Sequence, residues 1–271
     1  MEKSKNLKFK NQTFKTRLSS MLSLDFRRML TMPLFYIMVG ISFVMPILIL
    51  VMTTLMDGTV SVDPQTGVEI TIEGFKNVWQ IISAPSGDGM AMSMDLTSMC
   101  NINLLYFLIA IVVCLFVADD FRSGYAKNLF TVRPKKNDYV VSKTLVCFCV
   151  GVCMILFFFV GSMIGGAIAG LPFTLKGATV IEVIMCLLSK IFLMAVFVSL
   201  YLVMTTFSKQ KSWLSILCSL GSSMLLFTMI PMMTPLNSSI INVIMCLGGG
   251  ALFAFGLGTL SNYILKKTSL V

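Results

Sequence analysis

Apolar runs of about 20 residues recur along this chain, and no other sequence feature constrains its fold as tightly. Coiled at about 1.5 Å per residue, such a run matches the roughly 30 Å hydrocarbon thickness of a bilayer. Six of them are found: Pro33–Leu55, Cys100–Ala118, Leu145–Leu171, Ile181–Phe207, Trp213–Met233 and Ile240–Leu265. Lipid offers no water to backbone N–H and C=O groups, so each run must satisfy itself as a helix. Only 12% of the 271 residues are charged, 56% are apolar and the mean hydropathy is +0.89, more apolar surface than a soluble core needs. The expectation is an all-α membrane protein of six transmembrane helices, and a soluble enzyme is excluded. Pro33 suits a first helical turn, and Pro46 falls mid-span, where a kink is expected.

The net charge of +9 has a membrane explanation rather than a nucleic-acid one. Eight Lys and Arg precede the first span, six lie between the second and third (Arg122, Lys127, Arg133, Lys135, Lys136, Lys143), two follow the fourth and two follow the sixth. The opposite side holds only Lys76 and Lys176. Eighteen against two predicts that both termini are cytoplasmic, as an even span count requires. The polar, basic N-terminal stretch lacks the features of a cleavable signal. The predicted organisation is a cytoplasmic basic tail with an interfacial helix over 1–31, then a six-span domain over 32–271. The domain carries an external loop at 56–99 and a cytoplasmic loop at 119–143. The interfacial helix follows from Phe14, Leu18, Met21, Leu22, Met29 and Leu30, which recur at helical spacing between Lys15, Arg17, Asp25 and Arg28.

In the external loop, Thr59–Val62 and Val68–Ile72 alternate around the turn residues Asp63–Gly67, which predicts a β-hairpin. Phe75, Val78, Trp79 and Ile82 share a helical face and predict a short helix; Ala84–Gly89 reads as a break, and Met90, Met92, Met94 and Met99 follow it. The loop is acidic, as an external loop is when Lys and Arg are kept from it.

Catalytic chemistry is poorly supplied. Histidine is absent, which removes the commonest general base and the commonest zinc ligand. No G-x-x-x-x-G-K-[ST] string is present, so ATP is not expected to bind through a P-loop of this chain. The eight cysteines all lie in or beside apolar runs and read as small packing residues. No metal site is expected.

The stretch from Phe116 to Lys143, FVADDFRSGYAKNLFTVRPKKNDYVVSK, carries the most information. The second span ends at Asp119-Asp120. A short amphipathic segment aligns Phe121, Tyr125, Leu129 and Phe130 against Arg122, Lys127 and Asn128, and Arg133-Pro134 ends it. Such a helix lies in lipid or docks into a groove of a partner. The acidic exit, F-x-S-G-Y, short helix, R-P and re-entering lysine resemble the permeases of type-2 ATP-binding-cassette (ABC) exporters. Six spans, an amphipathic N-terminal helix and a larger first external loop are similar to that family across the whole chain, though the motif itself covers only about 25 residues. The resemblance implies that the short helix is a coupling helix for a cytoplasmic ATPase. Carried onto matching positions, it singles out Asp120, Phe121, Arg122, Ser123, Gly124, Tyr125, Asn128, Leu129 and Arg133. It also implies a cytoplasmic ABC ATPase dimer as partner, with ATP and Mg bound there and no cofactor on this chain, and a second permease copy or paralogue to complete the path.

Within the spans, Lys190 is the one basic residue, and Glu182 about two turns earlier is its expected partner; the competing reading is a lysine that snorkels to the outer surface. Gly161, Gly165, Gly166 and Gly170 in the third run, and Gly248, Gly249, Gly250, Gly256 and Gly258 in the sixth, read as close-packing devices. Asn101, Asn103 and Tyr106 in the second run, with Met224, Phe227 and Met229 in the fifth, are candidates for a path lining. The functional expectation is a permease subunit of an ATP-driven exporter in a bacterial plasma membrane, surrounded by lipid. Its expected cargo is hydrophobic or amphipathic: a peptide (a cationic one preferred), an antibiotic or a lipid. An ATPase-independent channel or secondary carrier is the rival. A membrane enzyme lacks the residues for a nucleophile, base and metal set.

Overall fold

The computed structural model describes residues 14–62, 69–71, 74–83, 100–132, 136–175, 178–208, 211–227 and 229–267. Helix α1 (Phe14–Thr31) ends one residue before α2 (Pro33–Met56), whose first position is the proline that needs no N–H partner there. The helix continues through Pro46. Strands β1 (Val60–Val62) and β2 (Glu69–Thr71) pair antiparallel, with Ser61 opposite Ile70. The turn Asp63–Gly67, the break Ala84–Gly89 and the methionine stretch to Met99 lie outside the described residues. The expected short helix of this loop is a 3-10 turn, Val78–Ile81, capped by the Asn77 side chain, which accepts from the Trp79 N–H.

A second 3-10 turn, Ile102–Leu104, leads into α3 (Leu105–Arg122). Then come α4 (Tyr125–Val132), α5 (Lys136–Ile168), α6 (Val180–Phe207), α7 (Ser212–Phe227), α8 (Met229–Met233) and α9 (Ile240–Lys267). Among the described residues five helical segments are long and apolar enough to cross a membrane: α2, Ile102–Arg122, α5, α6 and α9. Of the run Trp213–Met233, the described residues form the 16 residues of α7 and the 5 of α8, with residue 228 between them outside the described residues.

Helix α3 is the most enclosed, with Ile109, Val113, Phe116 and Val117 fully buried against α5, α6 and α7. Helices α2 and α9 flank the bundle and turn Ile41, Val44 and Leu48, and Leu252, Phe253 and Phe255, outward. That surface is what a bilayer would cover. Two glycines of the third run work as expected: a Cβ on Gly165 would stand 2.8 Å from the Ile47 Cα, and one on Gly161 would meet the Phe43 carbonyl, so α2 lies directly on the α5 backbone. Gly166 receives Val78 of the 3-10 turn instead. In α9 only Gly250 makes such an approach, to the Phe192 carbonyl of α6, while Gly248, Gly249 and Gly256 face open space. The hairpin-end loop is tied to the α5–α6 connection: Trp79 Nε1 donates to the Phe173 carbonyl at 3.0 Å, and Asn77 Nδ2 donates to that of Thr174.

Candidate functional site

The candidate site grows from the end of α3. Ser123 N–H closes on the Asp119 carbonyl at 2.9 Å, and Gly124 then takes φ 75°, a left-handed conformation that favours glycine. The chain reverses there and α4 begins at once. One side of α4 is turned in: Ala126 is buried, while Tyr125, Leu129 and Phe130 are half-buried, as is Phe121 just before it. The Phe130 and Phe121 rings meet the edge or face of Tyr139 at 5.3 and 6.3 Å. Arg122, Ser123, Lys127, Asn128 and Thr131 are exposed on the other side. Arg133 lies outside the described residues.

Behind α4 sits a closed cluster of charge contributed by α1, α3 and α5. Asp120 is fully buried, and its carboxylate takes Arg28 Nη1 at 2.5 Å, Lys143 Nζ at 2.7 Å and the Tyr139 hydroxyl at 2.9 Å. Asp25, also fully buried, accepts from Ser142 Oγ at 2.6 Å and lies 3.0 Å from Lys143 Nζ. The Lys143 contacts are charge contacts rather than aligned hydrogen bonds. Lys143 also stands 3.7 Å from the centre of the Phe116 ring, and Arg28 lies 4.1 Å over Tyr125, a residue of α4 itself. Arg17 of α1 adds a pair with Asp138 of α5 at 2.9 Å. Two carboxylates against an ammonium and a guanidinium leave the inner cluster neutral. Buried ions persist only as such a complete set, because each costs several kcal/mol to desolvate alone. Burial pulls the Arg28 guanidinium down, and the adjacent Asp120 outweighs it, so Arg28 is held above its ordinary value. Burial also pushes the Tyr125 phenol up.

This corrects the interfacial-helix expectation in one respect. Met21, Asp25 and Met29 form a buried stripe on α1, packed along α5. Asp25 therefore faces protein rather than solvent. The predicted Asp120 likewise points inward, away from any docking surface.

A second polar cluster lies toward the hairpin end. Lys190 is fully buried and donates to Asn103 Oδ1 and Thr234 Oγ1, each at 2.9 Å. Tyr106 donates to the Lys190 carbonyl at 2.9 Å, and Tyr201 to the Tyr106 carbonyl at 2.7 Å. The expected Glu182–Lys190 pair is not formed. Glu182 is spent on a capping box at the start of α6: its carboxylate accepts from the Thr179 N–H, and its own N–H donates to Thr179 Oγ1. Nor does Lys190 snorkel, since it has no exposed surface.

The candidate path residues separate into two groups. Asn101 caps the second 3-10 turn, Asn103 holds Lys190, and Tyr106 packs on Phe197 with ring centres 4.6 Å apart; all three are interior. Met224 and Met229 are exposed on α7 and α8, and Phe227 reaches back to Phe107 at 5.2 Å. They do not converge on one cavity. All eight thiols are free, and among the described residues no three His, Cys, Asp or Glu side chains gather as a metal site would need.

Four residues of the inner cluster escaped sequence reasoning: Asp25, Arg28, Tyr139 and Lys143. The i, i+4, i+8 spacing of Met21, Asp25 and Met29 was the available signal for the first. A model of the family described as ABC-2 family transporter protein matches residues 26–225. No curated protein and no solved structure matches the chain.

Proposed function

Because this chain belongs to the ABC-2 transporter family, a multi-pass permease subunit by that membership, we propose that it couples to a separate cytoplasmic ATPase through α4. The observation that carries this reading is the construction of α4. Its exposed side offers Lys127 and Asn128 to a partner, with Arg122 exposed at the end of α3 just before it, and its inner side packs Tyr125 under Arg28 and Phe130 against Tyr139, members of a charge cluster that joins α1, α3 and α5. Force applied to α4 would pass through Tyr125 and Arg28 into α1, and through Asp120 and Lys143 into α3 and α5. A closely packed set of paired charges transmits displacement with little loss to side-chain motion.

The basic end, with α1 and α4, is assigned to the cytoplasm by its Lys and Arg excess. In that orientation both termini are cytoplasmic, the membrane is a bacterial plasma membrane, and α7 with α8 forms the sixth crossing. The exposed faces of α2, α7 and α9 are left for lipid and for a second permease copy or paralogue. Export of an amphipathic cargo such as a peptide, antibiotic or lipid fits a chain whose external loop at 56–99 is too small to be a separate binding domain. The test is capture of the cognate ATPase by the tagged permease. Arg122→Glu with Lys127→Glu should abolish capture and ATPase stimulation while leaving the melting temperature of the permease unchanged. Retained capture, or solute movement by the permease without ATPase, would overturn the assignment and favour the channel or carrier.

A further inference from the structure

Lys143 and Lys190 are both fully buried, yet only Lys143 has acids beside it. Lys190 spends its ammonium on an amide oxygen and a hydroxyl. The Thr234 hydroxyl has already given its proton to the Ile230 carbonyl at 2.8 Å, so it serves Lys190 as a plain neutral acceptor. Among the described residues no carboxylate forms an ion pair with Lys190. The Lys190 ammonium has three N–H donors and meets two neutral oxygens, so among the described residues its positive charge has no anionic partner. A charged side chain inside a membrane bundle is costly unless paired, and an ammonium is paired best by an anion.

The surrounding elements suit an occupant that comes and goes. The three groups in the knot come from different segments: Lys190 from α6, Asn103 from the 3-10 turn ahead of α3, and Thr234 from the turn after α8. Thr234 follows α8 directly, and its carbonyl accepts from Ser83 Oγ at 2.8 Å. Exchanging the Thr234 hydroxyl for an anionic oxygen would keep the number of bonds to Lys190 and neutralise its charge. Tyr106 donates to the Lys190 carbonyl and packs on Phe197, which brings two buried aromatic rings close to the site.

We propose that Lys190 is an anion-recognition residue that takes the carboxylate or phosphate head of an amphipathic molecule. Its ammonium supplies the charge and Asn103 the positioning. The same chemistry is offered by a cargo molecule and by a bilayer lipid. Binding is a property of this chain alone and does not depend on ATPase docking, so the two proposals fail separately.

The experiment follows thermal unfolding of the purified full chain in a neutral maltoside detergent. It is titrated with dodecyl phosphate, dodecanoate, phosphatidylglycerol or, as control, phosphatidylcholine. The wild type should show a saturable rise of several degrees with the anionic amphiphiles and none with phosphatidylcholine. A response to the single-chain anions but not to phosphatidylglycerol marks a cargo site; a stronger response to phosphatidylglycerol marks a lipid site. Lys190→Gln should abolish the rise and Lys190→Arg should retain it. Should Lys190→Gln fold poorly, Asn103→Asp keeps the lysine and gives it an internal carboxylate. That variant should melt higher without ligand and lose the anion response. The proposal is overturned by a wild type that does not distinguish anionic from zwitterionic amphiphiles, or by an equal rise in Lys190→Gln or Asn103→Asp.

Discussion

The two ends of the bundle each bury a lysine, and each lysine holds three parts of the chain together. At the basic end Lys143 stands between Asp25 and Asp120, with Arg28 and Tyr139 completing the set. At the hairpin end Lys190 stands between Asn103 and Thr234. The first knot is self-sufficient in charge and the second is not. A closed charge set gives a stiff joint, since moving one ion exposes its partners to uncompensated burial. A knot of neutral oxygens is cheaper to exchange, because each bond contributes only about 1 kcal/mol net. The stiff knot lies where the proposed ATPase would push, and the exchangeable one where cargo or lipid would bind.

The comparison breaks most directly through Lys143→Met. Removing that cation strands two buried carboxylates, and the loss should reach about 3–5 kcal/mol in equilibrium unfolding in mixed micelles. Adding Asp25→Asn to it should cost less than Asp25→Asn alone, with a coupling energy of about 0.5–3 kcal/mol by double-mutant cycle. Lys190→Met strands only an amide oxygen and a hydroxyl, so about 1–3 kcal/mol is expected from the same measurement. If it matched or exceeded Lys143→Met, the distinction drawn between the two knots would be wrong.

The glycines extend the contrast from charge to packing. Gly165→Ala sets a methyl against the Ile47 backbone and should cost about 1–3 kcal/mol, whereas Gly248→Ala, with open space before it, should stay within about 0.5 kcal/mol. Equal effects would mean that the open face of α9 is occupied in the assembled protein. The smallest effect belongs to the cap of α6. Thr179→Ala should cost about 1 kcal/mol and leave the anion response of Lys190 unaltered, since Glu182 serves the cap and not the lysine.

Much of this was legible in advance, for identifiable reasons. The runs that became α2, α3, α5, α6 and α9 announce themselves by length and composition, because lipid requires both. The short helix α4 was readable from Gly124 and the spacing of Phe121, Tyr125 and Leu129. The inner cluster was half legible: Asp120 stands out at the end of a span, but its partners Arg28 and Lys143 look like ordinary members of two basic segments. Glu182 and Lys190 do not pair although they lie about two turns apart on one helix. A carboxylate at the third position of a helix has a nearer claimant in the cap.

By itself the sequence determined that this chain lives in a bilayer, which end of it is basic, and where the short amphipathic helix α4 lies. Those properties depend on composition and on contacts a few residues apart. Only the tertiary structure decided which charges meet. Asp25 and Lys143 are brought together from α1 and α5, and Lys190 finds Asn103 and Thr234 at separations of 87 and 44 residues. Such meetings follow from how whole helices pack, and no local pattern encodes them.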